Sequence, residues 1–179
     1  MQIGIGIDSH KFLEKENPKK CIIAGIVFED VPGLDADSDG DVVFHSITSA
    51  LSCITHENVL GHLAPLLCKQ GETNSRVYLE AALKNLKGSI TSVAVAIEGL
   101  RPKFKDREME MRISVARVLQ IDVDRVGFSF TTGDGLTSFG RGEGLFATSI
   151  IQYTSSKRRP SFLRSLKNWF ACSSPKLPS

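Results

Sequence analysis

Asp8 and His10 stand two residues apart in Ile7-Asp8-Ser9-His10. On an extended chain, residues two apart share one face, so a carboxylate oxygen and an imidazole nitrogen can reach the same cation. His45, in the first turns of a predicted helix, offers a second imidazole. Three protein ligands with a vacant fourth corner form a catalytic zinc arrangement. Carboxylate with imidazole also suits a borderline ion better than calcium. A D-x-H pair arises by chance as well, and a lone histidine is more often a surface or core residue, so spacing alone leaves both readings open. Asp41, one helical turn before His45, is placed to orient that ring from behind; the plain alternative is a helix cap.

Two further clusters could handle phosphate. Thr131-Thr132-Gly133-Asp134-Gly135 follows a predicted strand. Glycines let backbone N–H groups approach phosphate oxygens, hydroxyls donate to them, and a carboxylate can hold Mg²⁺. A simple turn is the competing reading. Gly140-Arg141-Gly142-Glu143-Gly144 sets an Arg and a Glu in a glycine-rich backbone, but neither a Walker nor a Rossmann pattern is present. Glu98–Phe104 ends a predicted strand, where Arg101 or Lys103 could approach a phosphate; a surface connection is the alternative. His56 and His62 read as structural or exposed.

The elements that must position these residues follow from periodicity. Ile3, Ile5 and Ile7 alternate with Gly4 and Gly6, which predicts a strand; Asp8 and His10 continue the glycine parity. Residues 21–28 predict a second strand, followed by an acidic, turn-rich loop over 32–41. Ser38, Asp39 or Asp41 can cap a helix carrying Val43, Ile47, Ala50, Leu51 and Ile54. Residues 57–72 predict a loop or short helix. Ser75 can cap a second helix that Gly88 stops. Val93–Ile97 predicts a strand, Arg107–Gln120 a third helix, and Arg125–Thr131 and Gly144–Thr154 two more strands. Interleaved strands and helices predict an α+β (α/β sandwich) fold, with a mixed β-sheet and helices on one face.

Composition narrows the class. A chain of 179 residues that is 41% hydrophobic and 23% charged suits one soluble globular domain with a tail, not disorder or a fibre. The uncharged stretch Val42–His56 is too short and polar to span a bilayer, and the N-terminus lacks the layout of a signal peptide. Residues 155–179 carry six basic residues and no acid, leaving 16 basic and 20 acidic residues in 1–154. That mildly acidic body argues against nucleic acid as a partner. In the tail, Phe162, Leu163, Leu166, Trp169 and Phe170 form one helical stripe flanked by Arg164 and Lys167. It suits an anionic membrane surface or a partner protein's groove; a terminal helix docked on its own body, or a frayed end, is the plainer reading. Cys21, Cys53, Cys68 and Cys172 show no paired spacing, which predicts free thiols in a reducing cytoplasm.

Taken in order, Ile3-Gly4-Ile5-Gly6-Ile7-Asp8-Ser9-His10, Ser38-Asp39-Gly40-Asp41-Val42 through His45, Arg101-Pro102-Lys103, Thr131-Thr132 and Gly140-Arg141-Gly142-Glu143-Gly144 resemble the 2-C-methyl-D-erythritol 2,4-cyclodiphosphate synthase family over residues 1–154. The resemblance implies a cytoplasmic homotrimeric lyase of the non-mevalonate isoprenoid pathway, with active sites between subunits. It implies Zn²⁺ on Asp8, His10 and His45, and Mg²⁺ or Mn²⁺ bridging the substrate's diphosphate at Asp134. It further implies substrate contacts from Ser38, Asp39 and Gly40, a diphosphate clamp of Thr131 and Thr132, a cytidine pocket around Arg101, Pro102 and Lys103, and Arg141 and Glu143 lining a central channel. Thr132, Asp134 and Asp41 are the expected catalytic residues. The implied reaction closes 4-diphosphocytidyl-2-C-methyl-D-erythritol 2-phosphate into a cyclic diphosphate and releases CMP.

The chain departs from the family pattern in four places. Asp37 stands where the family usually has His. Ala64-Pro65-Leu66-Leu67-Cys68 replaces an acidic segment. Thr131-Thr132-Gly133-Asp134-Gly135 replaces a Thr-Thr-Thr-Glu-Lys run, and the basic tail is extra. A decayed relative acting as a binding or scaffold protein, and a metal-dependent phosphoesterase, are the alternative readings.

Overall fold

Gly4 and Gly6 decide how the layers meet. A β-carbon on Gly4 would lie 2.2 Å from the Ala50 carbonyl oxygen, and one on Gly6 would lie 2.1 Å from that of Ser46. The first strand therefore lies with its backbone directly on a helix backbone, a separation that only residues without side chains permit. The computed structural model describes residues 1–155. In chain order these form β1 (Gln2–Lys11), a hairpin of β2 (Lys20–Ile23) and β3 (Ile26–Pro32), α1 (Val42–Thr55), two short helices α2 (Val59–His62) and α3 (Ala64–Lys69), then α4 (Ser75–Lys84), β4 (Gly88–Glu98), α5 (Glu108–Leu119), β5 (Val126–Thr131) and β6 (Gly144–Ser155). The tail stripe over 162–170, read from the sequence either as a membrane or partner contact or as a docked or frayed end, lies outside the described residues.

The main sheet has the order β1-β6-β4-β5, with β4 and β5 parallel and the other pairs antiparallel. It is the expected mixed sheet with helices packed on one face. The core between the layers is built from α1 (Val43, Ile47, Leu51), α4 (Tyr78, Leu79), α5 (Met111, Val115) and the inward residues Val93, Val95, Ile97, Leu145, Ala147 and Ile151. Ser46 and Ser149 satisfy each other across this interface, oxygen to oxygen at 2.7 Å. On β1 the usual pattern is inverted. The glycines face the core, while Ile3, Ile5 and Ile7 are 66%, 56% and 59% exposed on the outer face, beside Ile150 at 45%. No helix of the described residues is long and apolar enough to cross a membrane.

The structure corrects three boundaries. The single strand expected over 21–28 is two, because Ala24 (φ 54°) and Gly25 (φ 73°) form a hairpin turn inside the apolar run. Ser75 is not the cap of α4: the Asn74 side chain accepts from the Arg76 N–H, and Ser75 is the first helical residue. That helix ends at Lys84, with Asn85 as its C-cap, well before Gly88.

Candidate metal centre and active site

β1 and α1 carry three ligand atoms to one point. Asp8 Oδ2 lies 3.1 Å from His10 Nε2 and 3.1 Å from His45 Nδ1, and the two ring nitrogens are 3.3 Å apart. A tetrahedral zinc with bonds of about 2.0–2.1 Å sets its ligand atoms about 3.3 Å apart. The triangle is thus one face of such a tetrahedron, and the donor set of one carboxylate and two imidazoles suits it. Among the described residues this is the one group of three His, Cys, Asp or Glu side chains placed to share an ion. The strand parity that pairs Asp8 with His10 is the same parity that turns Gly4 and Gly6 onto α1, so the three ligand atoms meet because the glycines bring the helix close.

Electrostatics match this arrangement. Burial opposes ionisation of Asp8, but hydrogen bonds and charge from His10 and His45 outweigh it and lower the carboxyl to about 2. Burial works against a charged His10 too, yet the hydrogen bond and charge of Asp8 raise its pKa above the ordinary value.

His45 is held from its far side. Its Nε2 lies 2.8 Å from Ser75 Oγ and 3.2 Å from Ser38 Oγ. Asp39 backs that contact, accepting from the Ser75 N–H at 3.0 Å and from the Ser75 hydroxyl. The Tyr78 ring stacks on the imidazole, centroids 6.2 Å apart. Sequence reasoning missed this role for Ser75 because Asn74 and Ser75 are equally good cap residues, and only the fold shows which hydroxyl is freed to turn inward.

The orienting role expected of Asp41 belongs to Ser75 and Ser38. Asp41 Oδ1 accepts from Ala24 N–H at 2.9 Å, Val43 N–H at 3.0 Å and Phe44 N–H at 3.1 Å, and Oδ2 from Gly25 N–H at 2.6 Å. It caps α1 and fastens the β2–β3 turn to it, with no hydrogen bond to the ring. Burial and the charge of Asp39 push Asp41 up to about 6, against the pull of its backbone donors.

The phosphate-binding candidates gather elsewhere. Thr131 Oγ1 accepts from the Gly133 N–H at 3.2 Å, and Thr132 Oγ1 donates to Asp134 Oδ1 at 3.2 Å. Gly133, Asp134 and Gly135 all have positive φ, which curls the loop tightly. Arg101 places its guanidinium 4.9 Å above the Phe12 ring and donates to the Gly142 carbonyl. Pro102 is buried and Lys103 exposed. Arg141 is engaged by Glu143 at 2.8 Å and by Ser138 Oγ at 2.9 Å.

The sheet register separates these candidates from the metal face. Ser9, Phe146, Glu98 and Thr131 lie in one row across the four strands. Three interstrand spacings put Thr131 roughly 14 Å from Ser9, which sits between Asp8 and His10. One chain therefore brings Asp8, His10, His45, Ser38, Asp39 and Gly40 together at one edge. It holds Thr131, Thr132 and Asp134 at the other.

The sequence and fold are shared with known proteins. The YgbB family model matches residues 1–154. A Chlamydia muridarum protein named 2-C-methyl-D-erythritol 2,4-cyclodiphosphate synthase is 48% identical over 153 residues, spanning 84% of this chain and 86% of its own length. A protein of the same name from Chlamydia abortus is 47% identical over 153 residues, spanning 84% and 87%. A solved 2C-methyl-D-erythritol-2,4-cyclodiphosphate synthase in its CDP-bound form superposes with a TM-score of 0.76 at 25% identity, covering 86% of this chain and 100% of that one. With a family model matched over the entire sheet-and-helix body and relatives at nearly half identity, the chain belongs to the YgbB family.

Proposed function

We propose that this chain is itself a 2-C-methyl-D-erythritol 2,4-cyclodiphosphate synthase, a lyase acting in isoprenoid precursor synthesis. The carrying observation is the triangle of Asp8, His10 and His45, with edges of 3.1–3.3 Å, in a chain 48% identical to a protein of that name. Asp8, His10 and His45 would hold Zn²⁺, and Asp134 would contribute to holding Mg²⁺ or Mn²⁺. When bound, the two dications supply charge neutralisation at the diphosphate.

The chain's own residues have a matching task. The 2-phosphate of the cytidylyl substrate is already an anion, so no general base is needed. One of its oxygens attacks the β-phosphorus. The bond from that phosphorus to the oxygen bridging to the α-phosphorus breaks, and CMP leaves with the electron pair. Such transfers gain most from alignment and charge stabilisation. The Thr131 and Thr132 hydroxyls would donate to phosphate oxygens. The curled backbone at Gly133–Gly135 lets the diphosphate approach, a β-carbon on Gly135 meeting nothing within 4 Å. Arg101, Pro102 and Lys103 would flank the cytidine, and Ser38, Asp39 and Gly40 shape the wall beside the ligands.

Assembly completes the site. A diphosphate cannot bridge roughly 14 Å, so a metal face at one edge and a Thr loop at the other require the loop of a neighbouring copy. The outward Ile3, Ile5, Ile7 and Ile150, with Leu136 at 85% exposure beside Asp134, provide apolar surface for that packing. We read the assembly as a homotrimer with one site per interface and Arg141 and Glu143 toward its axis. The free Cys21, Cys53 and Cys68 suit a cytoplasmic setting.

The test is to incubate the purified protein with the cytidylyl substrate, Zn²⁺ and Mg²⁺. CMP and the cyclic product are expected in equal amounts. A linear phosphate would instead identify a phosphoesterase, and no product at all a binding or scaffold protein.

A further inference from the structure

The loop from β3 to α1 sets Asp35, Asp37, Asp39 and Asp41 within seven residues, beside a face that, on the reading above, receives a diphosphate. Three of these acids are engaged. Asp41 caps α1, and Asp39 holds Ser75 and the Asp41 N–H. Asp35 pairs with Lys11 at 3.2 Å. Asp37 is exposed and makes no hydrogen bond or ion pair among the described residues. It stands where the resemblance leads one to expect histidine, so an anion replaces a group able to carry positive charge.

Lys19 faces this loop from the segment before β2. Its Nζ donates at 2.8 Å to the carbonyl of Ala36, the residue between Asp35 and Asp37. Its backbone is pressed against the start of the same loop: a β-carbon on Gly33 would lie 2.4 Å from the Lys19 carbonyl oxygen. Lys19 is half-buried. Burial draws its pKa below the ordinary lysine value while the fields of Asp39, Asp35 and Asp37 act against that, and its own charge is felt at His10. Among the described residues its ammonium has no carboxylate within 4 Å, so two of its three N–H donors remain for a ligand. An ammonium tethered to the carbonyl of the residue before Asp37, its charge felt at His10, is placed to meet an anion arriving at that face.

We propose that Lys19 is a substrate-binding residue of this enzyme: anchored on the Ala36 carbonyl, its ammonium offsets Asp37 and donates to a phosphate oxygen of the bound diphosphate. The proposal rests on the synthase reading. It accounts for how the chain can carry Asp37 beside its substrate.

The experiment compares wild type, Lys19→Met, Lys19→Arg, and Lys19→Met combined with Asp37→Asn, each characterised for zinc content, melting temperature and steady-state kinetics. Met keeps the aliphatic stem and removes the charge. Lys19→Met should raise KM about tenfold or more, the usual worth of one charge-assisted hydrogen bond, with kcat, zinc content and melting temperature little changed. Lys19→Arg should stay near wild type, and adding Asp37→Asn to Lys19→Met should recover much of the loss. An unchanged KM in Lys19→Met overturns the proposal. So does a KM rise accompanied by lost zinc or a lowered melting temperature, which would make Lys19 a structural tie for the loop. If wild type releases no CMP, the synthase reading fails. CDP binding by titration calorimetry to the zinc-loaded proteins then decides on Lys19: binding weakened about tenfold in Lys19→Met supports it, and equal or absent binding in both overturns it.

Discussion

Gly6→Ala tests whether the metal site depends on the close approach of β1 to α1. The added methyl would stand 2.1 Å from the Ser46 carbonyl oxygen and 2.3 Å from the Ala50 nitrogen, against at least 3.4 Å for ordinary contact. Both obstacles are backbone atoms inside a helix and cannot rotate aside, so strand and helix must separate by about 1 Å. Asp8 and His10 travel with the strand and His45 with the helix. A separation of that size takes the Asp8–His45 edge from 3.1 Å to about 4 Å, whereas metal bonds tolerate errors of about 0.2 Å. Overpacking of this kind costs about 2–3 kcal/mol, or roughly 4–12 °C in melting temperature for a chain of this size. Zinc measured by elemental analysis after dialysis should fall well below one per chain, and the melting midpoint should drop. Gly127→Ala, on β5 of the same sheet, meets nothing within 4 Å and should change neither reading. A Gly6→Ala protein with full zinc and an unchanged midpoint would refute the reasoning.

Other consequences can be measured on the same protein. His45→Ala and Asp8→Asn should each abolish retained zinc and product formation together; full turnover by either would remove the metal from the mechanism. Ser75→Ala strips the hydroxyl that links His45 Nε2 to Asp39, so zinc affinity by competition with a chromogenic chelator should weaken about 10–100-fold while the fold persists. Asp41→Ala removes the α1 cap and the acceptor of the Ala24 and Gly25 N–H groups, and urea unfolding should show a loss above the ~1–2 kcal/mol of an ordinary N-cap. For the metal-free protein, Asp8 is lowered from 3.8 to about 2, so its contribution to stability is complete above about pH 4 and disappears as pH falls toward 2. His10 is raised from 6.5, so its contribution is present below that pH and is lost as pH rises through the higher folded value. Metal-free stability should therefore peak between those limits, and a melting temperature still rising through neutral pH would contradict the assignment.

The candidate metal site is legible in the sequence because it uses two simple periods. D-x-H on a strand fixes two ligands by parity, and one histidine on the adjoining helix needs only that helix to lie alongside. What it hides is whatever depends on two groups of similar chemistry competing for one role. Asn74 and Ser75 both suit a cap, and the structure gives the cap to one and His45 to the other. Asp41 suits both a cap and an imidazole partner, and four backbone N–H groups claim it. The run Cys21–Phe28 reads as one strand because a hairpin turn at Ala24-Gly25 uses an alanine in a left-handed conformation, a residue that does not announce turns.

The deepest ambiguity lies in β1, where hydrophobic alternation points the wrong way for a lone chain. Isoleucines conventionally mark the core face of a strand, yet here they look outward and the glycines look in. Both facts follow from the chemistry of the site. The ligand face must lie close against α1, which demands glycine. The opposite face is left uncovered by this chain's own helices, and in the proposed assembly its isoleucines pack against a second copy. The same sheet that exposes those isoleucines also sets the candidate metal ligands of β1 three strand spacings from the Thr loop after β5. In the homotrimer proposed above, an apolar outer face and a divided active site are thus two expressions of one arrangement, in which the interface is the catalytic unit and each chain supplies one half to each neighbour.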